Sequence, residues 1–445
     1  MSRPVGASGA GRVPAAERGS GLILAIFVLV LLTGMGIALL FVGETEVKAS
    51  RVDQRVRRVF YVAEAGLEDG RETLRVTNLS DLSLADRQTL DDELRTAAGS
   101  DGVLDFDPAL LKPVYDTSGN VVAFTGYDDD LPLRPATTFG DGRYAAFLSN
   151  DPIDGRQDAD DTNDRVLLTA IGTGPERAIE IVEAIVERQS FPVLPATIAI
   201  VGPAAVFDGG NSAAKDYVGD DCAGGIPGLS VPVVGVVGAA SEASVESGVH
   251  KPGTFTSGSA TGVDTVDNLE GTIDPSWTDC DGLHDLARQV RAAADVVGNA
   301  GTSNGALGTP LDPKIVFIEG DYAIGGGFSG AGLLWVTGTL TMSGNAAWSG
   351  VLLVVGEGAF ARNGGGNGKI LGATFVANIA GPDDILWTAD DCSGPDGVAG
   401  NADDGLAAGS YDQSGGGTGL TGYCSSAISD AQTGFPFRIV GFRQR

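Results

Sequence analysis

The sequence predicts an α+β module, made of a long N-terminal helix and an antiparallel sheet, followed by a Gly-rich all-β domain. Three observations support this fold class. An uncharged apolar run occupies residues 21–43, three β-type segments follow between residues 143 and 187, and apolar runs separated by regularly spaced glycines recur beyond residue 313. The length of 445 residues allows two or three domains.

The apolar run from Gly21 to Gly43 is long enough to cross a bilayer. Its 23 residues carry no charged side chain and form a helix of about 34 Å at 1.5 Å per residue. Residues 1–20 carry three arginines against one acid, a balance that keeps this end in the cytoplasm. A permanent anchor and a secretory signal peptide are alternatives, although the run exceeds a signal peptide's apolar core and lacks its cleavage site.

We expect the same helix to continue into water and to cover residues 20–78. Turn-forming residues from Thr77 to Asp81 mark its end. The soluble half alternates a charged face with an apolar face. The apolar side chains recur at spacings of three, four and seven residues, which are typical of one helical face: Val52, Val56, Val59, Ala63, Leu67 and Leu74.

Two motifs in this helix resemble a known family. The chain reads RGSGLIL at residues 18–24 and FYVAEAGLE at residues 60–68, on either side of the apolar run. Together they resemble the N-terminal region of PilX-type minor pilins, which are type IV pilin-like proteins of pilus assembly. The resemblance covers residues 17–75, about an eighth of the chain.

The resemblance implies processing by a prepilin peptidase, which cuts after a glycine on the cytoplasmic side of the membrane. The cut would follow Gly19, leaving Ser20 as the first mature residue and residues 1–19 as the leader; Gly21 is the alternative site. Major pilins carry a glutamate five residues into the mature chain, where this sequence has Leu24 or Ile26. PilX-type proteins often lack that glutamate, so the departure argues against a major subunit only.

Residues 79–190 are predicted to form a small α+β unit. A short polar helix is expected within residues 82–98, followed by strands at 143–149, 165–171 and 177–187. Helix remains an alternative for 177–187, because its alternation of apolar and polar residues is imperfect. Gly172–Pro175 is a hairpin turn between the last two strands. A sheet of this kind on the C-terminal half of a long helix is the pilin fold.

Residues 191–445 are predicted to form the Gly-rich β domain, because prolines after Phe191 break the preceding strand. Apolar runs at 315–318, 333–336 and 352–355 end in glycines 18 residues apart. This step is that of a short parallel β-helix, with coils over about 313–380. A β-sandwich with Gly-rich hairpins is the alternative. A helix at 282–297 and a closing strand at 435–442 complete the prediction.

Charge and cysteines limit the chemistry of the chain. With 58 acids and 29 basic residues the net charge is −29, which excludes nucleic acid as a partner. Four cysteines with no CxxC spacing favour disulfides. Local loop closure favours the pairs Cys222–Cys280 and Cys392–Cys424, although four cysteines allow three pairings. Zinc is disfavoured because the chain has only two histidines.

Two Asp-rich loops are candidate calcium sites, with a solvated acidic loop as the alternative for each. Calcium takes six to eight oxygen ligands, but neither loop has the spacing of an EF-hand. The candidate ligands are, in the first loop, Asp151, Asp154, Asp158, Asp160 and Asp164, and, in the second, Asp390, Asp396 and Asp403.

No catalytic constellation is present in the sequence: His250 falls in a turn, and His284 is expected on a helix surface. We therefore expect a non-enzymatic minor pilin-like subunit, inserted in the inner membrane before assembly and then exposed on the pilus or cell surface. Its partners would be other pilins, the prepilin peptidase and a surface or glycan ligand, with adhesion or pilus initiation as its role. The alternatives are a type II secretion minor pseudopilin and a membrane-anchored β-helix protein acting on polysaccharide.

Overall fold

The computed structural model describes residues 17–80, 90–127, 129–257, 265–303, 305–398, 400–401 and 404–445. Within the first helix, the side chains are described from Gly21 to Arg75.

The predicted long N-terminal helix is confirmed. Helix α1 covers Glu17–Ser80 without interruption, 64 residues in all, which is about 96 Å at 1.5 Å per residue. A second, short helix α2 covers Asp91–Ala97, inside the range predicted for a polar helix. Residues 81–89, the first part of that range, lie outside the described residues.

An antiparallel sheet packs on the C-terminal half of α1. All three predicted strands are confirmed, including the last, for which helix was the alternative. A two-stranded hairpin, β1–β2, and the edge strand β3 were not predicted. The strands of this unit are β1 (Lys112–Tyr115), β2 (Val121–Thr125), β3 (Arg134–Phe139), β4 (Gly142–Asn150), β5 (Arg165–Thr173) and β6 (Ile179–Arg188).

Beyond residue 197 the chain forms one large sheet of sixteen strands. Every pairing between its strands is parallel. The strands are β7 (Ile198–Val201), β8 (Val206–Asp208), β9 (Lys215–Val218), β10 (Val234–Val236), β11 (Phe255–Thr256), β12 (Val266–Asn268), β13 (Val296–Ser303), β14 (Ala306–Leu307), β15 (Lys314–Ile324), β16 (Ser329–Val336), β17 (Leu340–Ser343), β18 (Ala347–Gly356), β19 (Ala359–Asn363), β20 (Lys369–Asn378), β21 (Ser410–Asp412) and β22 (Gly419–Tyr423).

Three helices and one last strand complete the chain. The helices are α3 (Ala239–Ser247), α4 (Cys280–Ala293) and α5 (Ser425–Thr433), and the strand is β23 (Phe437–Gln444). Helix α4 lies within the predicted range 282–297 apart from its first turn. Strand β23 confirms the predicted closing strand, but its partner is β6 of the antiparallel sheet rather than a strand of the parallel sheet.

The 18-residue repeat predicted from the glycines is present in the strand register. Ile315 pairs with Leu333, and Leu333 pairs with Val351. Gly332, Gly350 and Gly372 are stacked at successive levels with φ between 114° and 133°. A Cβ atom at Gly350 would lie 2.1 Å from the carbonyl oxygen of Gly332, so this column requires glycine.

Strand order within the sheet differs from chain order. One ladder runs through β13, β15, β16, β18, β20, β7, β10 and β12. The chain therefore enters in the middle of the ladder at β7 and proceeds to β12. It then crosses through α4 to the opposite end at β13 and returns until β20 pairs with β7.

The structure confirms two disulfides but contradicts the favoured pairing. The bonds are Cys222–Cys424 and Cys280–Cys392, with Cα–Cα distances of 4.8 and 6.1 Å. Spatial order explains the first bond, because β9 and β22 are parallel neighbours with Val218 opposite Gly422. The cysteines a few residues beyond these two strands are therefore adjacent. Local loop closure was the wrong criterion for a chain whose neighbouring coils are remote in sequence.

The C-terminal strand is fastened to the antiparallel sheet by ion pairs. Arg438 binds Glu187, and Arg443 and Arg445 bind Glu183, which Arg156 also contacts. Burial alone would raise the pKa of Glu183, but hydrogen bonds from the three arginines outweigh it and hold that pKa below its ordinary value. The chain thus returns to its first unit after completing the parallel sheet.

Replacing Cys222 and Cys424 together by alanine is expected to lower the free energy of unfolding by about 2–5 kcal/mol. The bond joins residues 202 positions apart, so its loss releases a long loop in the unfolded chain. Denaturation in urea measures the change, and peptide mapping without reduction establishes the pairing. A peptide linking Cys222 to Cys280 would contradict the structure.

Candidate functional site

The N-terminal part of α1 is an apolar surface that the described part of the chain leaves uncovered. Its large apolar side chains from Leu22 to Val42 are 50–72% exposed. The most apolar stretch has a mean hydropathy of 2.9, and none of it is buried. Gly34, Gly36 and Gly43 have no atom within 4 Å of the position of a Cβ. By length and composition, this helix could cross a membrane.

Helix α1 passes from exposed to buried at Val59. Val52 and Val56, predicted on the buried face, are 52% and 44% exposed, whereas Val59 is 1% exposed. From there the inward positions Ala63, Leu67 and Leu74 join the core formed with β4, β5 and β6. The predicted apolar face is therefore covered only in its second part, where the antiparallel sheet begins.

The motif AEAGLE is explained by the close approach of helix and sheet. A Cβ atom at Gly66 would lie 2.9 Å from Tyr144 on β4. On β5, a Cβ atom at Gly172 would lie 2.5 Å from the backbone nitrogen of Ala63. Small residues at 63 and 66 bring the two backbones together, while Glu64 and Glu68 of the motif lie outside the buried face.

Polar contacts fix the angle of the helix on the sheet. Asp69 accepts a hydrogen bond of 2.7 Å from the hydroxyl of Tyr144 and forms an ion pair with Arg134 on β3. Nearer the exposed half, Arg55 forms an ion pair with Glu176 in the β5–β6 turn. Burial, and secondarily the contact with Asp69, raises the pKa of Tyr144. The sequence offered no signal for Arg134, because β3 was not predicted.

The predicted processing site lies at the start of α1. Gly19 and Ser20 are in its first turn, although their surroundings are outside the described side chains, and Gly21 has no neighbour within 4 Å of a Cβ position. Residues 1–16 of the expected leader are outside the described residues.

The first Asp-rich loop is held together by hydrogen bonds to its own carboxylates. Asp151 is 1% exposed and accepts from the backbone nitrogens of Ile153 and Asp154. Asp154 accepts from Thr162 at two atoms. Asp158 and Asp160 are engaged separately, Asp158 with the backbone of the loop and Asp160 with Arg95 on α2. Asp164, directly before β5, has a positive φ of 57°. Calcium binding by this loop remains a prediction.

The second Asp-rich loop is likewise ordered by its own hydrogen bonds. Asp390 accepts a 2.7 Å hydrogen bond from the hydroxyl of Thr388, and Asp396 accepts from Asn401. Asp403 lies outside the described residues. Calcium in this loop also remains a prediction.

His284 was expected at the surface, but it is largely buried. Its side chain is 12% exposed and its Nε2 atom lies 3.3 Å from Asp391, whose side chain is 6% exposed. Burial lowers the pKa of His284, with Asp391 opposing this effect. The pair adjoins the Cys280–Cys392 bond. The sequence signal that was missed is that Cys280 lies close to His284 and Cys392 lies next to Asp391. The predicted disulfide pairing was wrong and did not join these two cysteines.

Comparison with known proteins adds one similarity. No family model matches the chain, and no curated protein matches it. Among solved structures the chain is similar to the competence-associated pilin ComZ from Thermus thermophilus. The identity is 12%, the match covers 88% of this chain and 98% of that chain, and the TM-score is 0.20. A likeness at this TM-score carries no argument about fold or function.

Gly66→Ala is expected to lower the free energy of unfolding by about 1–3 kcal/mol, because the added methyl group overlaps Tyr144. Gly43→Ala is the matched control: it makes the same change in the same helix at a position without neighbours, where alanine favours the helix by up to about 1 kcal/mol. Chemical denaturation of both variants in detergent measures the difference. Equal stabilities for the two variants would contradict the close packing of α1 on the sheet.

Proposed function

We propose that this protein is a minor pilin-like structural subunit. The observation that carries the proposal is the division of α1 into an uncharged, exposed half at residues 21–43 and a second half that packs on an antiparallel sheet from Val59 onward. The exposed half would lie in the inner membrane before assembly and pack among the helices of other pilins afterwards. Gly34, Gly36 and Gly43 would let neighbouring helices approach closely.

The finer assignment to the PilX type rests on the two sequence motifs. The motif around Gly19 would be the cleavage site for the prepilin peptidase, and the motif at residues 60–68 is the part of α1 that the sheet contacts. The absence of a charged residue from Gly21 to Gly43 means that the packed bundle would bury no charge from this subunit. A type II secretion minor pseudopilin would use the same surfaces.

The parallel sheet would be the displayed part of the subunit. We interpret this sheet as a parallel β-helix, because its strands stack in three rows along one axis. The first row contains β16 and β18, and the second contains β17 and β19. The third contains β14 and the first residues of β16. Its role would be structural or adhesive rather than catalytic. A surface or glycan ligand remains part of the proposal.

Co-expression with a prepilin peptidase is expected to yield a mature chain beginning at Ser20 or at Leu22. Gly19→Leu should abolish the cut after Gly19, because the resemblance to PilX-type proteins implies that the peptidase cuts after a glycine. N-terminal sequencing of the purified chains measures the outcome. Gly34→Leu, in the same helix but distant from the site, is the matched control and should be processed normally. An intact N-terminus in the native chain would leave a single-span membrane anchor.

Leu29→Asp is expected to abolish incorporation of the subunit into pili, because it places an unpaired charge inside the uncharged run. Leu29→Ile keeps the volume and polarity and should assemble normally. Immunoblots of sheared pili, compared with membrane fractions, separate failed assembly from failed expression. Normal incorporation of the aspartate variant would rule out helix packing as the basis of assembly.

A further inference from the structure

Two cationic side chains are buried inside the parallel sheet. Lys215 on β9 is 3% exposed, and Arg362 on β19 is 8% exposed. Both occupy inward positions of their strands, in alternation with outward neighbours. They line one small cavity, most of whose wall is glycine: Gly344, Gly364, Gly366, Gly415, Gly416, Gly417 and Gly419.

The partners of these two cations are neutral. The Nη2 atom of Arg362 donates to the carbonyl oxygen of Gly368 at 2.6 Å, whereas its buried Nη1 atom has no hydrogen-bond partner. Lys215 donates from Nζ to the carbonyl oxygens of Gly209 and Gln413. Within the described part of the chain, no carboxylate forms an ion pair with either cation.

The polar groups around the cavity do not compensate the two charges. The side-chain oxygen of Gln413 already accepts from the hydroxyls of Tyr411 and Thr421, so both of its lone pairs are occupied. Asp208 and Asp412 raise the pKa of Lys215 from a distance, but burial and Arg362 prevail and lower it. Two buried like charges without a counterion are unfavourable.

We propose that this cavity binds a small monovalent inorganic anion of the halide class between Arg362 and Lys215. The anion would accept from the unpartnered Nη1 atom and compensate both cations at once. The cavity is small, with a volume of about 10 Å³, which excludes polyatomic anions such as sulfate and phosphate and favours a monatomic one. A water molecule could accept from Nη1, but it would leave the two charges uncompensated.

The glycine wall is what makes room for the cations. A Cβ atom at Gly419 would lie 2.9 Å from Nη1 of Arg362. Outside this wall, a Cβ atom at Gly368 would lie 2.6 Å from Nη2 of the same arginine. A Cβ atom at Gly210, also outside the wall, would lie 2.5 Å from Nζ of Lys215. Side chains at these positions would push the cations out of the interior. The glycine-rich segments at 363–368 and 415–419 therefore have a role other than flexibility, which is to bring backbone close to two buried cations.

The test uses the full-length chain in detergent. Sodium gluconate, whose anion is too large for the cavity, is replaced stepwise by sodium bromide at constant ionic strength, and thermal unfolding is followed. The midpoint is expected to rise by about 1–3 °C and to saturate. Arg362→Gln should remove this dependence. Arg288→Gln, at an exposed arginine paired with Asp285, is the matched control and should keep it.

Diffraction from crystals of the native chain grown in bromide gives an independent result. An anomalous peak within hydrogen-bond distance of Nη1 of Arg362 would support the site. Its absence, or a bromide dependence that survives in Arg362→Gln, would overturn the proposal. If that variant fails to fold, the native crystals decide the question. These outcomes are independent of the proposed pilin-like function, which depends on α1.

Discussion

The parallel pairing of β20 with β7 connects two parts of the ladder that are almost 180 residues apart in sequence. Thr374 is opposite Ile198, and Ala377 is opposite Val201. Strands β7, β10 and β12 form the ladder on one side of this contact, and strands β13, β15, β16, β18 and β20 form it on the other. The pairing of β22 with β9 in the neighbouring row depends on the same closure, and so does the first disulfide. The small cavity lined by Lys215 and Arg362 also depends on it, because these two residues come from opposite sides of the contact.

Helix α1 is subject to a different constraint, because its two parts need different surroundings. The second half is satisfied within the chain, since Ala63, Gly66 and Gly172 allow a close contact with the sheet. The stretch at residues 21–43 has no partner in the described part of the chain and contains no charged side chain that water could solvate. This imbalance explains why a functional proposal can rest on α1.

The sequence was informative wherever a local period was strong. The uncharged run, the apolar face from Val59 and the 18-residue glycine step each reflect repeated short-range geometry, and each corresponds to an element of the structure. Strands β1, β2 and β3 were missed because they are short and largely exposed, with weak alternation. The step between levels is not uniform, because Leu340 on β17 pairs with Phe360 on β19, 20 residues later.

Long-range topology was beyond the sequence argument. Nothing local indicates that β7 lies between β20 and β10, and the disulfide prediction failed for that reason. The same limit applies to the antiparallel sheet, where Glu183 and Glu187 suggested only an alternating strand. Their arginine partners on β23 follow more than 250 residues later. The alternation of β-strands could have identified Arg362 as a buried residue, because it lies two positions after the apolar Phe360 in a short strand bounded by glycines.

The return of β23 to β6 makes the whole parallel domain an insertion between two adjacent strands. The chain leaves the antiparallel sheet at Arg188 and re-enters it at Phe437, and these two residues are opposite each other. A pull on the parallel domain is therefore shared by two covalent connections that leave the sheet side by side. Tension along α1, by contrast, passes into the antiparallel sheet without crossing the parallel domain. The parallel domain therefore lies outside the path by which force on α1 reaches the antiparallel sheet.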